Sequence, residues 1–362
     1  MDRRSFLKNA GLATGAAAAS TLAAPAIAQG VKQLKMVTSW PKNFPGLGTA
    51  AARYAKRIED TSGGKYKVRV YAGGELVHPL KCLDAVQEGT ADLYHSAEYY
   101  FQGKSKAFGF FAAVPFGFRP DEMDAWIHHG GGQQLWDELS AQFGVKPFPC
   151  SNTGSQMGGW FKKPMNSIED FKGLKMRIPG LGGDVIKALG GTSVTLAGSE
   201  ILPALQAGTI DATEWVGPWN DLAFGFYKIV KHYYYPGFHE PGTTLSTGIS
   251  KKLWDGASDA DKAMFQSCAL AENNFGLAEF NANNAAALNT LVTKHGVKLE
   301  EFSDEIFAAA GNAAKDVIAS AGATDATTKK VYDSYMSFRK NVVDWSRISD
   351  QAYMQKRSLV TF

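Results

Sequence analysis

A single arginine stands inside an otherwise apolar strand segment. Arg177 lies within the run from Leu174 to Ile178, which predicts a buried strand. A buried guanidinium requires an anion, because an unpaired charge away from water is costly. The anion could be a protein carboxylate, such as Glu214 or Asp211. It could equally be a ligand carboxylate, whose two oxygens match the guanidinium fork.

A carboxylate occupies a similar position further along the chain. Glu214 falls in an apolar segment beside Trp215, so a cation would balance its charge. The amide oxygen of Gln156, the Glu214 carboxylate and a main-chain carbonyl such as that of Trp215 would form an all-oxygen set. Such a set suits Na⁺ or Ca²⁺ rather than zinc. Gln156 lies in a run of amides and glycines, residues 150–160, whose polar side chains can face a ligand.

The common catalytic signatures are missing from the sequence, which weakens an enzymatic interpretation. There is no G-x-S-x-G elbow, H-E-x-x-H pair, Walker loop or dinucleotide glycine fingerprint. His128 and His129 are adjacent and would point to different faces of a helix, so we expect structural or surface residues. His95 fits a hydrogen-bonded core histidine better than a cleft residue.

The three cysteines are widely spaced and form no C-x-x-C pair. Buried free thiols are the expectation, with one disulfide as the alternative in an oxidising compartment.

The first residues predict export. Arg3-Arg4 is followed by Phe6-Leu7-Lys8, then by a small-residue stretch ending in Ala26-Ile27-Ala28. This pattern predicts a twin-arginine signal peptide over residues 1–28, with a weak membrane anchor as the alternative. Without these residues the formal charge falls from +3 to +1, so no nucleic-acid partner is implied. We expect a mature protein that is soluble in the periplasm.

The remaining length predicts two lobes rather than one core. The segment from Ala85 to Asp92 is similar in sequence to the segment from Ala204 to Asp211. Each segment predicts the end of a helix, a glycine cap and the start of a strand. We therefore expect two similarly built α/β lobes, both doubly wound. Beyond Ser258, which is predicted as the N-cap, the pattern predicts one long spine helix to about His295, or two helices broken near residues 281–284.

Four motifs accompany the leader: Ala72-Gly73-Gly74-Glu75-Leu76, Asn152-Thr153-Gly154 with Gln156-Met157-Gly158-Gly159-Trp160, Lys175-Met176-Arg177, and Asp211-Ala212-Thr213-Glu214-Trp215-Val216-Gly217-Pro218. Together they resemble the DctP-type extracytoplasmic solute-binding subunits of TRAP transporters. The resemblance covers essentially the whole mature chain. It is strongest to the branch that binds 2-oxo acids such as pyruvate, and to its lactate-binding relatives.

This resemblance implies an α/β, two-lobed periplasmic-binding-protein fold with mixed sheets, crossing strands, a long spine helix and a C-terminal helix. It implies lobe 1 over residues 29–150 and about 241–280. Lobe 2 would span 151–240 with parts of 296–320, and the C-terminal helices would span 321–362. It also implies pairing of two copies through the C-terminal helix. That pairing would cover an aromatic stripe made of Val331, Tyr332, Tyr335, Phe338, Val342 and Trp345. The alternative is that this stripe packs into the core of the same chain.

The resemblance also implies roles for individual residues. Arg177 would bind the ligand carboxylate, with hydrogen bonds from Asn152 and Tyr100. Gln156, Glu214 and the Trp215 carbonyl would bind Na⁺ or Ca²⁺ in contact with the ligand. Glu240 would be a further ligand or a neighbour of the ligands. The chain departs from some relatives at Gln102 and at Phe238-His239, which would shape the pocket end that takes the carbon tail.

The expected function is therefore capture of a small monocarboxylate and a cation, followed by delivery to a membrane permease. Closure of the lobes would give the permease a distinct shape to recognise. Two alternatives are a twin-arginine-exported periplasmic enzyme and a sensor subunit that presents the same ligand to a receptor.

Overall fold

The computed structural model describes residues 30–361. The predicted signal peptide lies outside these residues. Eleven strands are present in the described part of the chain: β1 Lys32–Thr38, β2 Tyr66–Tyr71, β3 Leu93–Ala97, β4 Val145–Asn152, β5 Gly159–Phe161, β6 Lys175–Arg177, β7 Thr192–Val194, β8 Ala212–Thr213, β9 His232–Tyr235, β10 Thr244–Ser250 and β11 Lys298–Glu301.

The same residues form twelve α-helices, joined in places by short 3₁₀ turns. They are α1 Gly48–Thr61, α2 Cys82–Gln87, α3 Pro120–His129, α4 Gly132–Ala141, α5 Gly180–Ala188, α6 Gly198–Ala207, α7 Pro218–Phe224, α8 Lys251–Asp255, α9 Asp259–His295, α10 Asp304–Gly322, α11 Ala326–Ser346 and α12 Ala352–Arg357.

Two mixed sheets give the molecule two lobes. The first sheet has the order β2-β1-β3-β10-β4, and the second has the order β11-β9-β5-β8-β6-β7. In the first sheet β1, β2 and β3 are parallel, whereas β10 runs antiparallel to both of its neighbours. The chain therefore crosses between the sheets after β4, after β9 and along α9. The predicted α/β two-lobed fold is confirmed, while the lobe boundaries taken from the sequence stay a prediction.

The internal echo in the sequence corresponds to equivalent turns in the two lobes. The helices α2 and α6 end just before Gly89 and Gly208, whose φ angles are +77° and +74°. Glycine adopts this left-handed conformation at no steric cost, which explains its position at both helix ends. A strand of the respective sheet follows each turn.

The spine helix is continuous. The hydroxyl of Ser258 accepts a hydrogen bond from the Asp261 N–H at 3.2 Å, which caps α9 as predicted. The helix then runs 37 residues without a break near residues 281–284. It packs against β4 of the first lobe and α7 of the second, so it spans both lobes.

The C-terminal aromatic stripe divides between two environments. Val331 and Tyr335 are buried within the chain, and the Tyr335 hydroxyl accepts a hydrogen bond from the Phe118 N–H at 2.9 Å. Trp345, in contrast, is 63% exposed, and further apolar side chains beyond it are also exposed: Ile348, Tyr353, Met354, Leu359 and Val360. Tyr332, Phe338 and Val342 are partly buried against the same core, so core packing accounts for the stripe as far as Val342 and leaves Trp345 exposed.

Several predictions about single residues are confirmed. His95 is buried, accepts a hydrogen bond from the Trp40 indole at 2.7 Å and donates to the Cys150 carbonyl at 2.9 Å. His128 and His129 are exposed at the end of α3. The three cysteines are free and buried. Among the described residues, no helix combines the length and apolarity needed to cross a bilayer.

The spine helix approaches β4 so closely that it requires glycine at one point. A Cβ atom at Gly276 would lie 2.0 Å from Ser151 Oγ and 2.9 Å from Ser151 Cβ. We expect Gly276→Ala to lower the free energy of unfolding by about 1–3 kcal/mol through overpacking. Thermal unfolding measures the change.

The matched control is a helical glycine with ordinary space around it. A Cβ at Gly311 of α10 would meet its nearest neighbour, the Phe116 ring, at 3.6 Å. Gly311→Ala should therefore leave stability unchanged or raise it by up to about 1 kcal/mol. An unfolding midpoint for Gly276→Ala at or above that of the wild type would contradict the packing argument.

Candidate functional site

Three loops converge between the lobes: residues 152–158, 214–217 and 236–243, called here the site loops. Main-chain hydrogen bonds join them: Gln156 N to Glu240 O at 3.3 Å, Met157 N to Val216 O at 3.1 Å and Gly237 N to Gln156 O at 3.1 Å. Two of these loops contain the segments that connect one sheet to the other. The site is therefore held where the chain crosses between the lobes.

Arg177 reaches the site loops from the end of β6. This strand is parallel to β8, so the carboxyl ends of both strands meet at one sheet edge. Glu214, the residue after β8, accepts from the guanidinium Nη1 through its carboxylate at 2.5 Å and its carbonyl at 3.0 Å. Both side chains are 1% exposed. Of the protein carboxylates considered from the sequence, Glu214 rather than Asp211 is thus the partner of Arg177.

The other guanidinium nitrogens have weaker contacts. Nε and Nη2 each donate to the Leu196 carbonyl at 3.2 Å, and Nη2 also lies 3.4 Å from the Tyr100 hydroxyl. The guanidinium carbon is 5.0 Å from the centre of the Trp215 ring, a cation–π distance. Nη2 is therefore the part of Arg177 that faces Tyr100 across the lobes.

Gln156 and Glu240 form a second polar group beside this pair. The Gln156 amide donates to Glu240 Oε2 at 2.9 Å, and also to the Thr153 and Thr243 hydroxyls at 3.0 and 2.9 Å. The Thr243 hydroxyl donates to the same carboxylate oxygen of Glu240. These bonds fix the orientation of the Gln156 amide. Its oxygen, Oε1, is left buried and without a hydrogen-bond partner among the described residues.

His239 completes the cluster. Ligand atoms of Glu214, His239 and Glu240 all lie within 4.8 Å of one another. His239 is 1% exposed, and its Nε2 lies 3.4 Å from Glu214 Oε2 without forming a hydrogen bond. Buried polar atoms are normally satisfied, so these unpaired atoms of Gln156, Glu214 and His239 indicate a binding site.

Burial governs the electrostatics of the cluster. Desolvation raises the pKa of Glu214 to about 7, against the attraction of Arg177. Desolvation also raises the pKa of Glu240 to about 7, and the negative charge of Glu214 adds to this effect. Burial lowers the pKa of His239, which keeps its imidazole neutral. The site therefore opposes further negative charge unless a cation enters with it.

Asn152 lies at the margin of this arrangement. Its side chain donates to the Thr244 hydroxyl at 3.3 Å and accepts from the Gly154 N–H at 2.9 Å. The structure thus brings together Arg177, Glu214, Tyr100 and Trp215 as one group. Gln156 and Glu240 form the adjacent group, and Asn152 is tied to the start of the first site loop.

Sequence reasoning did not name two residues that shape the site, Thr243 and Asp221, and it named His239 for the shape of the pocket but not as a possible cation ligand. Asp221 of α7 is buried and accepts from the Trp160 indole at 2.9 Å, the Tyr233 hydroxyl at 2.7 Å and the Val216 N–H at 3.3 Å. It thereby holds the loop that carries Glu214. The Thr243-Thr244 doublet close to Glu240 was the local signal for Thr243.

The family model for bacterial extracellular solute-binding proteins of family 7, DctP, matches residues 36–325. The chain belongs to this family. It is a solute-binding protein of the TRAP transporter type, and members of this family are extracytoplasmic transport proteins rather than enzymes. The recognition made from the motifs is confirmed, and the enzymatic alternative is set aside.

Ligands are known for individual relatives of this protein. A monocarboxylate 2-oxoacid-binding periplasmic protein from Nostoc is 39% identical over 358 residues, which cover 98% of each chain. A TRAP solute-binding protein from Bordetella bronchiseptica, a mixed-occupancy dimer with calcium and picolinate, has a TM-score of 0.89 at 32% identity over 91% of this chain and 98% of its own.

Two further structures of TRAP solute-binding proteins have pyruvate bound. The protein from Pseudoalteromonas atlantica binds sodium and pyruvate, and its TM-score is 0.87 at 34% identity over 90% of this chain and 99% of its own. The protein from Colwellia psychrerythraea binds calcium and pyruvate, with a TM-score of 0.87 at 34% identity over 90% and 100%.

The residues of this solute-binding protein fit such a cation. The unpaired Gln156 Oε1 and Glu214 Oε2 are hard oxygen donors, and Glu240 supplies a second carboxylate. His239 adds an imidazole to the all-oxygen set expected from the sequence. A bound cation would supply positive charge to a ligand anion and to the buried carboxylates.

Proposed function

We propose that this protein captures a small monocarboxylate together with a metal cation and delivers it to the membrane permease of a TRAP transporter. The ligand would be a 2-oxo acid such as pyruvate or a 2-hydroxy acid such as lactate, and the cation would be Na⁺ or Ca²⁺. The observation that carries the proposal is the buried Arg177 beside unpaired oxygens of Gln156 and Glu214.

Charge supports a ligand with one carboxylate. Arg177 is the one lysine or arginine in the buried set of residues 30–361, and it is already paired with Glu214. A ligand carboxylate that joins Nη2 therefore adds a negative charge with no protein cation left to balance it. A co-bound metal ion supplies that charge, and a second ligand carboxylate would increase the deficit.

The roles proposed for single residues follow from their contacts. Arg177 Nη2 and the Tyr100 hydroxyl, 3.4 Å apart, would both donate to the ligand carboxylate. Gln156, Glu214, the Trp215 carbonyl and Glu240 would bind the cation. Asn152 would contribute a further hydrogen bond on rearrangement of its present contacts. The Nostoc relative that binds 2-oxo acids and the two relatives with bound pyruvate support this class of ligand.

Arg177→Lys tests the proposal because it keeps the charge and removes the fork. We expect the affinity for pyruvate to fall about 10- to 100-fold, the loss of a charge-assisted bidentate contact. The readout is the midpoint of thermal unfolding, because a ligand that binds only the folded state raises it. It is measured with pyruvate, lactate, a longer 2-oxo acid and a dicarboxylate, each in the presence of Na⁺, Ca²⁺ or a chelator.

The matched control is Arg69→Lys, at an exposed position of β2. It should behave as the wild type in every condition. The proposed function would be overturned if carboxylates raised the unfolding midpoint of Arg177→Lys as much as that of the wild type. It would also be overturned if no carboxylate raised the unfolding midpoint of the wild type.

We also propose that two copies pair through the C-terminal helices. Exposed apolar residues from Trp345 to Val360 support this, as does the dimer described for the Bordetella bronchiseptica protein. Wild-type protein should sediment as a dimer at micromolar concentration. The double variant Trp345→Glu and Ile348→Glu should sediment as a monomer, whereas Val292→Glu on α9 should not change the mass. A monomeric wild type would contradict the pairing.

Export by the twin-arginine route is a separate proposal, supported by Arg3 and Arg4 before the small-residue stretch. Replacing both by lysine should leave the protein in the cytoplasmic fraction of the producing cell, with wild-type protein in the periplasmic fraction. Periplasmic recovery of the double-lysine variant at the wild-type level would contradict this route.

A further inference from the structure

A turn of the first lobe, residues 112–118 and called here the supporting turn, lies against the third site loop, residues 236–243. The Phe116 N–H donates to the Phe238 carbonyl at 2.8 Å. The rings of the same two residues stack, with centroids 5.7 Å apart and an angle of 20° between their planes. Phe238 directly precedes the two loop residues that belong to the polar cluster of the site. The supporting turn therefore contacts the loop next to the residues that would meet a ligand.

Phe116 has a backbone conformation that is uncommon for an aromatic residue. Its φ angle is +55°, in the left-handed region that glycine adopts without steric cost. A bulky side chain keeps this conformation only where the surrounding contacts hold it, and such strained residues concentrate at binding sites. The contacts of Phe116 should therefore show what holds it.

The C-terminal helix α11 supplies these contacts. Arg339 donates to the Phe116 carbonyl through Nε at 3.2 Å and through Nη2 at 2.7 Å. One helical turn earlier, the Tyr335 hydroxyl accepts a hydrogen bond from the Phe118 N–H at 2.9 Å. The space between is filled, because a Cβ atom at Gly117 would lie 2.3 Å from the Tyr335 hydroxyl. Residues four apart share one face of a helix, so this face of α11 holds the main chain on both sides of Gly117.

We propose that Arg339 is a positioning residue for ligand binding, which acts through the main chain of Phe116 to hold the third site loop in its binding form. The inference rests on the proposed function and adds a contribution from the C-terminal helix. The far end of the loop is also tied to the supporting turn, since the Thr244 N–H donates to the Ala112 carbonyl at 3.1 Å. Loss of Arg339 would release the turn and lower the fraction of molecules whose loop is ready to bind, which weakens the apparent affinity.

Calorimetric titration with pyruvate, in the presence of Ca²⁺ and separately of Na⁺, tests this role. Arg339→Met keeps the length of the side chain and removes both hydrogen bonds. Its affinity should fall about 3- to 30-fold, the range expected for a residue that acts through its neighbours. Arg339→Lys keeps the charge and one donor group, so it should recover part of this loss. Lys340→Met, at the adjacent exposed position of the same helix, should bind as the wild type does.

A second control separates position from stability, because the loss of two hydrogen bonds also destabilises the fold. Ile58 of α1 is fully buried in a core cluster of the first lobe that does not include the supporting turn. Ile58→Val should lower the unfolding midpoint without changing the affinity for pyruvate.

Amide hydrogen exchange without ligand follows the loop itself. In Arg339→Met, exchange should become faster in residues 112–118 and 236–243 and stay as in the wild type in α1. A folded Arg339→Met protein with wild-type affinity and wild-type exchange would overturn this inference and leave the proposed function in place. An equal loss of affinity in Ile58→Val would also overturn it. If the wild type bound no pyruvate, the proposed function would fail, and the exchange of residues 236–243 would still decide whether Arg339 holds the loop.

Discussion

The buried ion pair between Arg177 and Glu214 is the interaction on which the rest of the site depends. It is fully desolvated, so its stability relies on geometry and on the charges nearby. Because the guanidinium is already neutralised within the protein, any anion that enters must bring positive charge with it. In the proposed function, this need for charge neutrality in a buried site links the ligand to a cation.

The fold satisfies this constraint by placing the site where the chain crosses between two sheets. Arg177 and Glu214 come from neighbouring parallel strands of the second lobe, whereas Tyr100 comes from a turn of the first. The contact between Arg177 and Tyr100 therefore joins the two lobes. A ligand that joins them would favour the form in which the lobes are in contact, and under the proposed function this is the form that a permease would recognise.

Support around the charged residues comes from threonine hydroxyls and from one further buried carboxyl group. The Thr153 and Thr243 hydroxyls orient the Gln156 amide, and Asp221 holds the loop behind Glu214. Such groups determine which oxygen atoms stay free for a ligand. The arrangement resembles a preorganised binding site, in which bonds within the protein have already fixed the donors before the ligand arrives.

The sequence alone predicted the elements and the principal charges. Ser258 marked the start of the spine helix, the echoed glycine turns indicated two related lobes, and Arg177 and Glu214 were recognised because charged residues in apolar strands need partners. The choice of partner depended on the tertiary structure. Strand order brought Glu214 rather than Asp211 to the guanidinium, and loop packing placed His239 beside Glu240. Periodicity reports which residues are buried, but long-range pairing of strands and loops decides which buried atoms meet.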